Sequence, residues 1–322
     1  MLTGDQSLAS ATIVGAGCAG LSMAYRLQTR GIRPLVVVDP GDPRPDHIWA
    51  YWDDGGEDLS LARDLTEGQW KKWEIVNENE RVCLEGDYFF YRAISSERFE
   101  AHLGGSMPQV ERVQTRVTSV DRSSGIYILK LESGKELQSK HVFDSRPFIV
   151  PKGAFLQHFL GWRVRTDKPT FDENIATLMD FRVSQEAGIH FIYLLPFSST
   201  EALVESTVFS FQSLPDSWYE RQIKDYLSTK YPKSSLKTVS SEKGIIPLIS
   251  VRDEHSFGTP IGVRAGALRA SSGYAFSQIQ RQIFQILDES RIGSSGFYKI
   301  PRPKVGCNKI ESWMDTVLLR VL

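Results

Sequence analysis

One carboxylic acid stands alone in the most apolar stretch of the chain. In Ala202-Leu-Val-Glu-Ser-Thr-Val-Phe-Ser210, Glu205 is the single ionisable group. Strand alternation puts Leu203, Thr207 and Phe209 on its face and Ala202, Val204, Ser206 and Val208 on the other. A strand this apolar on both faces is expected to be buried. Burial disfavours the charged form, so Glu205 would persist as a neutral acid near pH 7 and could donate a proton. The alternative is a strand-end carboxylate paired with an arginine such as Arg182. Asp180 is a similar lone acid in Ala176-Thr-Leu-Met-Asp-Phe-Arg182, two residues from Arg182 on one strand face, and the expected reading of both is a structural ion pair.

A second chemistry is written in Gly15-Ala-Gly17-Cys-Ala-Gly20, with Asp39 19 positions after the third glycine. Gly15 permits a tight turn, Gly17 a close approach to a pyrophosphate, and Gly20 close helix–strand packing. The free N–H groups at the helix start favour phosphate, and Asp39 can accept from a ribose hydroxyl. Gly262-Val-Arg-Ala-Gly266 and Ser271-Ser-Gly273, before a late helix, offer a second contact to the same ligand. Cys18, within the first turn, is expected to be a packing residue, and His158 a structural one. The three cysteines form no Cys-x-x-Cys pair and the six histidines lie far apart, so no metal site is expected.

These residues need elements to position them. Ala11-Thr-Ile-Val14 reads as a buried strand, Leu21, Ala24 and Leu27 as one face of a helix closed by Gly31, and Leu35-Val-Val-Val38 as the next parallel strand. Two aromatic clusters follow, Asp46-His-Ile-Trp-Ala-Tyr-Trp52 and Tyr88-Phe-Phe-Tyr91. Strands are expected over 113–120 and 127–131, and His141-Val-Phe143, ending at Asp144, could return the chain to the first sheet. Longer strands over 176–183, 189–197 and 202–211 suit a second, antiparallel domain, the last two joined as a hairpin by Ser198-Ser-Thr-Glu201. Phe276, Ile279, Ile283 and Leu287 mark the buried stripe of the late helix. The expected organisation is an α/β chain: residues 1–150 a dinucleotide-binding domain with interleaved strands, 151–250 a substrate sheet, and 251–322 a return to the first domain followed by a C-terminal helical segment.

Composition bounds the function. The chain has 322 residues, with 38 Lys+Arg against 39 Asp+Glu and a net charge of -1, so no global field holds nucleic acid. A hydrophobic content of 41% with 11% aromatic residues supports a full core. No signal peptide or membrane span is evident, which gives a cytoplasmic expectation, while a basic stretch after Arg291 leaves contact with a membrane surface open. The sequence stops inside the apolar Thr316-Val-Leu-Leu-Arg-Val-Leu322, from which a continuation beyond this chain is expected.

Together these segments resemble the lycopene beta-cyclase family of carotenoid-forming flavoproteins. Gly15-Ala-Gly-Cys-Ala-Gly20 and His47-Ile-Trp-Ala-Tyr-Trp52 are similar to its dinucleotide fingerprint and the His-x-Trp-x-aromatic motif after it. Phe143-Asp-Ser-Arg-Pro147, Gln157-His-Phe-Leu-Gly-Trp162 and 176–182 match further family segments in order. Leu203-Val-Glu-Ser-Thr207 resembles the strand carrying the family's essential glutamate, which falls on Glu205, and Ala265-Gly-Ala-Leu-Arg-Ala-Ser-Ser-Gly-Tyr274 resembles the late flavin-side loop. The chain departs from the pattern in having Arg269-Ala270 where many members have His-Pro, and Ser206 where a second carboxylate often follows the glutamate. It also lacks the family's C-terminal helical region.

The resemblance implies a Rossmann-like FAD-binding domain interleaved with an antiparallel-sheet substrate domain. It implies FAD in its reduced form, NAD(P)H as reductant, and lycopene or a related linear carotene as substrate, drawn from a membrane surface by a peripherally bound enzyme. Gly15, Gly17, Gly20, Asp39, Asp144, Gly266 and Gly273 would hold the cofactor. Glu205 would protonate a linear end group, and the rings of Trp49, Tyr51 and Trp52 would stabilise the carbocation that closes to a beta-ionone ring. The rivals are an FAD-dependent monooxygenase of the same fold, and an inactive truncated remnant that binds flavin or carotenoid.

Overall fold

The computed structural model describes residues 8–249, 255–293, 296–299, 315 and 317. The basic side chains expected after Arg291, including Arg302, Lys304, Lys309 and Arg320, lie outside the described residues or side chains, as does most of the apolar end.

Ala11–Val14 is buried at every position and forms the centre of a five-stranded parallel sheet. The order is Thr259–Pro260, Val142–Asp144, Ala11–Val14, Leu35–Asp39, Glu111–Gln114. A central parallel strand has both faces covered, which is why these strands are apolar without alternation. One face packs on the helix Cys18–Thr29, which buries Leu21, Ala24 and Leu27, and beyond it on the late helix Phe276–Glu289, which buries Phe276, Ile279, Ile283 and Leu287 as their spacing predicts. The other face, with Val14, Val36, Val38 and Val142, meets an antiparallel meander of Val117–Ser123, Ile126–Leu131 and Glu136–Ser139. The expected return of His141-Val-Phe143 to the first sheet is found, with Val142 beside Thr12 and Asp144 beside Val14.

The second sheet has seven strands in the order Leu236–Pro247, Leu156–Thr166, Glu201–Ser210, Ile189–Ser198, Ile175–Asp180, Lys72–Val76, Arg81–Glu85. All neighbours are antiparallel except Ile175–Asp180 with Lys72–Val76. The last two strands come from the first 150 residues, so the chain visits the large sheet before it completes the parallel one. The hairpin Ile189–Ser198 and Glu201–Ser210 is as expected, closed by Ser199-Thr200. Helix Asp216–Lys230 covers one face of this sheet with Tyr219, Ile223, Tyr226 and Leu227.

The opposite face meets a small antiparallel sheet of Ile48–Asp53, Phe90–Ser95 and Gly68–Trp70. Ile48–Asp53 is a shared wall. Its two-residue period turns Trp49 and Tyr51 toward the core of the nucleotide domain and Ile48, Ala50 and Trp52 toward the core under the large sheet.

The tightest backbone contact is in the glycine turn. Gly15 holds φ at +101°, and a Cβ on Gly20 would fall 1.9 Å from the Gly15 carbonyl oxygen. Gly20→Ala is therefore expected to destabilise the protein by at least ~1–3 kcal/mol, the usual cost of overpacking. Urea unfolding at pH 7 measures it, and an unchanged midpoint would show that the turn has slack.

Candidate active site

Strand register builds the site. Gly161, on Leu156–Thr166, pairs with Glu205 on one side and with Glu242 of Leu236–Pro247 on the other, while Glu205 pairs onward with Tyr193. Residues directly opposite in a sheet point to the same face, so Glu242, Gly161, Glu205 and Tyr193 form one row across four strands. Gly161 leaves room at the centre. A Cβ there would lie 3.4 Å from Cγ of each glutamate. The two carboxylates thus approach across a strand that has no side chain to separate them.

Their surroundings differ. Glu205 is 8% exposed, and its Oε1 accepts a 2.6 Å hydrogen bond from the Thr207 hydroxyl. Burial, and then the nearby Glu242 carboxylate, push its pKa well above the usual carboxylate range, with Thr207 opposing. Arg182 is not its partner. Glu242, equally buried, accepts from the Ile48 amide at 2.8 Å through Oε2, and His47 Nδ1 lies 3.5 Å from that oxygen. The contact with Glu242 raises the His47 pKa, against the lowering effect of burial. Glu242 Oε1 has no hydrogen-bond partner among the described residues.

Both glutamates line a cavity of about 330 Å³ walled by Phe159, Phe191, Phe209, Tyr91, Tyr193 and Tyr274, with Trp49 and Phe276 at the nucleotide side. No lysine or arginine lines it among the described residues. The Tyr91 hydroxyl is 2.7 Å from that of Tyr193 and 2.6 Å from that of Tyr274, tying small sheet, large sheet and late loop together. Of the three rings expected around a cation, only Trp49 borders the cavity. Tyr51 is buried against Phe276 at 4.9 Å, and Trp52 packs on Trp73 and Tyr91 at 4.6 and 4.7 Å. Alternation along the strand separates Trp52 from its neighbours, and the aromatic lining comes instead from distant strands.

A second cavity, of about 410 Å³, lies at the carboxyl end of the nucleotide sheet and is lined by Ala16, Asp39, Arg44, Glu100 and Arg112, with His47 and Trp49 common to both cavities. Gly15, Gly17 and Gly20 are not on its lining; from their turn Ala16 reaches it, beside the start of helix Cys18–Thr29, which has no side-chain cap and no acidic residue in its first turn. This arrangement fits the phosphates of a dinucleotide. Asp39 accepts from the Ala16 and Gly41 amides, each at 2.8 Å, and from Arg44 at 2.7 Å. A carboxylate offers about four acceptor positions, so room for a ribose hydroxyl remains. In the late loop it is Gly262, at φ +70°, that abuts the first helix, where a Cβ would lie 2.6 Å from that of Ala19. Gly266 caps the short turn Gly262–Ala265 at φ +78°, and Gly273 lines the glutamate cavity beside Gln157. Arg269 reaches Asp315 at 2.7 Å, and Ser271 donates to the same oxygen at 2.6 Å.

Several acids and bases are occupied structurally. The Asp144 carboxylate is fully buried and accepts from Arg146 at 2.7 and 2.8 Å and from the Phe257 amide at 2.9 Å. Its side chain therefore braces the sheet edge, while Ser145 reaches the Val14 carbonyl beneath the glycine turn. Asp180 forms the expected bidentate pair with Arg182, joined by Tyr226 at 2.9 Å. His158 bridges Ser210 and Tyr219, and burial pushes the Cys18 thiol up, away from nucleophilic character. Glu242 and the three tyrosines were not singled out from sequence as site residues; Glu242 is flanked by Ser240, Ser241 and Lys243, and the apolar run begins only at Ile245.

Comparison with known proteins decides the family. A profile for lycopene cyclase proteins matches residues 11–322. The chain belongs to the lycopene cyclase family. It is 27% identical over 307 residues to a lycopene beta-cyclase of Pseudescherichia vulneris, covering 90% of this chain and 76% of that protein. It is also 27% identical over 285 residues to the enzyme of Pantoea ananas, covering 82% and 70%. The fold is that of flavin-dependent enzymes. A geranylgeranyl bacteriochlorophyll reductase-like protein from Thermoplasma acidophilum superposes with a TM-score of 0.64 at 12% identity, over 98% of this chain and 84% of that one. The flavin-dependent brominase Bmp2 gives 0.58 at 14%, over 90% and 82%.

The Asp180 pair has a signed pH consequence. Despite burial, Arg182 and Tyr226 hold the Asp180 pKa below its ordinary value. Its stabilisation is present above the unfolded-state pKa and is lost as pH falls through the lower folded value. Asp180→Asn should cost about 1–3 kcal/mol at pH 7, because the buried site loses the charged acceptor of Tyr226 and Arg182 while Arg182 itself stays open to solvent. In urea titrations from neutral to strongly acid pH, that gap should close as the pH falls; a pH-independent gap would argue for a packing defect.

Proposed function

We propose that the protein cyclises the linear end groups of lycopene or a related carotene to beta-ionone rings, giving gamma- or beta-carotene without net redox change. The observation that carries this reading is Glu205: a desolvated carboxylic acid, without a cationic partner, facing an aromatic cavity. Protonating an alkene requires a strong donor in a dry site, and a carboxyl kept neutral by burial meets that need. Glu205 would deliver its proton to the terminal double bond. Attack of a second double bond on the resulting cation closes the ring, and loss of a ring proton completes the isomerisation. Trp49, Phe159 and the tyrosines present π faces toward the developing charge, each worth about 2 kcal/mol when desolvated. The Thr207 hydroxyl orients the carboxyl group by donating to Oε1.

FAD along the Gly15–Gly20 turn, reduced by NAD(P)H, would supply an electron-rich neighbour for the cation. Trp49 and His47 border both cavities, so they would transmit cofactor occupancy to the substrate wall. A cavity of about 330 Å³ suits one end of a polyene and leaves the remainder outside. Ile245, on the cavity lining, is 56% exposed, and Phe211, two residues beyond the cavity-lining Phe209, is 65% exposed; these two apolar side chains would contact the membrane from which substrate is taken. None of the described helices is long and apolar enough to cross one. A peripheral position on the cytoplasmic membrane face is the arrangement we favour.

Anaerobic assay with lycopene in liposomes, FAD and reductant tests the function directly. Glu205→Gln should lower turnover at least ~100-fold, the contribution of a positioned acid, while retaining flavin. In the parent, turnover should fall as pH rises through the elevated Glu205 pKa, because only the neutral form donates. Equal product from parent and variant would remove Glu205 from the mechanism. Ile245→Glu combined with Phe211→Glu should reduce co-flotation with vesicles and slow turnover of vesicle-borne lycopene; unaltered flotation would remove these side chains from membrane contact.

A further inference from the structure

Cyclisation adds one proton and removes another from a different carbon, and the reading above identifies only the donor. We propose that Glu242 is the base: it removes the ring proton from the cyclised cation and returns it to Glu205. The proposal rests on the cyclase reading and extends it to a residue outside the motifs that define the family resemblance.

The two glutamates are alike in burial and unlike in partners. Glu205 receives one neutral hydroxyl donor, from Thr207. Glu242 Oε2 receives the Ile48 amide at 2.8 Å and lies 3.5 Å from His47 Nδ1. An amide donor and a neighbouring histidine ring both favour a charged carboxylate, whereas a lone hydroxyl in an apolar wall does so weakly. Two carboxyl groups this close do not both ionise readily, so the charge settles where the donors are. Glu205 then holds the proton and Glu242 the charge. The remaining groups facing the pair are phenols: Tyr193 beside Glu205 in the sheet, and Tyr91 and Tyr274 across the cavity, with no lysine or arginine on the described lining. Glu242 Oε1, without a hydrogen-bond partner among the described residues, is the acceptor left open.

The step balances. The Glu205 O–H bond breaks as a C–H bond forms at the less substituted carbon of the terminal double bond, leaving Glu205 as carboxylate and the substrate as a tertiary cation. A second alkene's electron pair forms the ring bond and moves the positive charge to a ring carbon. Glu242 Oε1 takes a proton from the adjacent carbon, and that C–H pair becomes the ring double bond. The neutral Glu242 then passes its proton across the gap over Gly161 to Glu205, restoring both. The ring cation has hydrogens on three neighbouring carbons, so the position of the base decides which double-bond isomer forms.

Glu242→Gln, Glu242→Asp and Glu205→Gln, compared with the parent in the anaerobic liposome assay, test this by rate and by product. Glu242→Gln should lower turnover about 100-fold, with its residual product shifted from the beta ring toward isomers formed by proton loss elsewhere, and Glu242→Asp should restore part of the beta product. A purely structural residue would slow all products without changing their ratio. Beta ring alone from Glu242→Gln, within twofold of the parent rate, overturns the proposal. A cofactor-independent arm uses infrared titration of the same proteins. A protonated-carboxyl band present at neutral pH in the parent should vanish in Glu205→Gln, persist in Glu242→Gln, and titrate at lower pH in the latter. Loss of the band in Glu242→Gln instead would reverse the assignment and overturn the base role. No ring from the parent would refute the cyclase reading and the base role with it, and the infrared pattern would still decide which glutamate carries the proton.

Discussion

A carboxyl group stays neutral at physiological pH only where water and cations are kept from it, and most of the architecture around Glu205 serves that exclusion. The seven-stranded sheet supplies a central strand with neighbours on both sides, and helix Asp216–Lys230 closes its far face. The small sheet carrying Ile48–Asp53 and Phe90–Ser95 closes the near face while forming part of the nucleotide domain's wall. Arginines that could have neutralised the acid are engaged elsewhere: Arg182 by Asp180, and Arg163 by Glu67 and Glu201. The interleaved connectivity makes the wall between the cavities part of both cores.

The nucleotide half was legible because its signals are local. A tight turn, a helix start and an acid at fixed distance occupy one continuous segment, and the glycines are dictated by atoms a few residues away, as the contact of Gly20 with the Gly15 carbonyl illustrates. Glu205 was legible for a related reason: an acid among eight uncharged neighbours is conspicuous wherever the strand lies. The Asp180–Arg182 pair was readable from a separation of two residues.

What stayed hidden depended on register between distant segments. Glu242 is 37 positions from Glu205, and they meet only because both strands pair with Gly161. Its strand is an edge strand with mostly exposed residues, so its sequence is polar and carries no strand-like alternation. The aromatic segment misled in the opposite way. Trp49, Tyr51 and Trp52 are neighbours in sequence, yet a two-residue period divides them between two cores, while Tyr91, Tyr193 and Tyr274 converge from three elements. Asp144 was assigned to the cofactor by the family resemblance alone; its sequence does not announce the Arg146 guanidinium that pairs with its buried carboxylate.

The tyrosine cluster contains an arithmetic constraint. Three hydroxyl groups bring three hydrogens to two hydrogen bonds, and Tyr91, shared by both, can donate only once. One hydrogen is left over in every permitted arrangement: on Tyr193, on Tyr274, or on Tyr91 when both neighbours donate to it. These arrangements keep the same number of bonds and differ only in which way the O–H dipoles point. The cavity wall is therefore orientationally degenerate, as in ice, and rotation of light atoms alone can turn either a hydrogen or a lone pair toward a guest. Its heavy atoms can remain fixed while its polarity adapts to whatever guest the cavity holds.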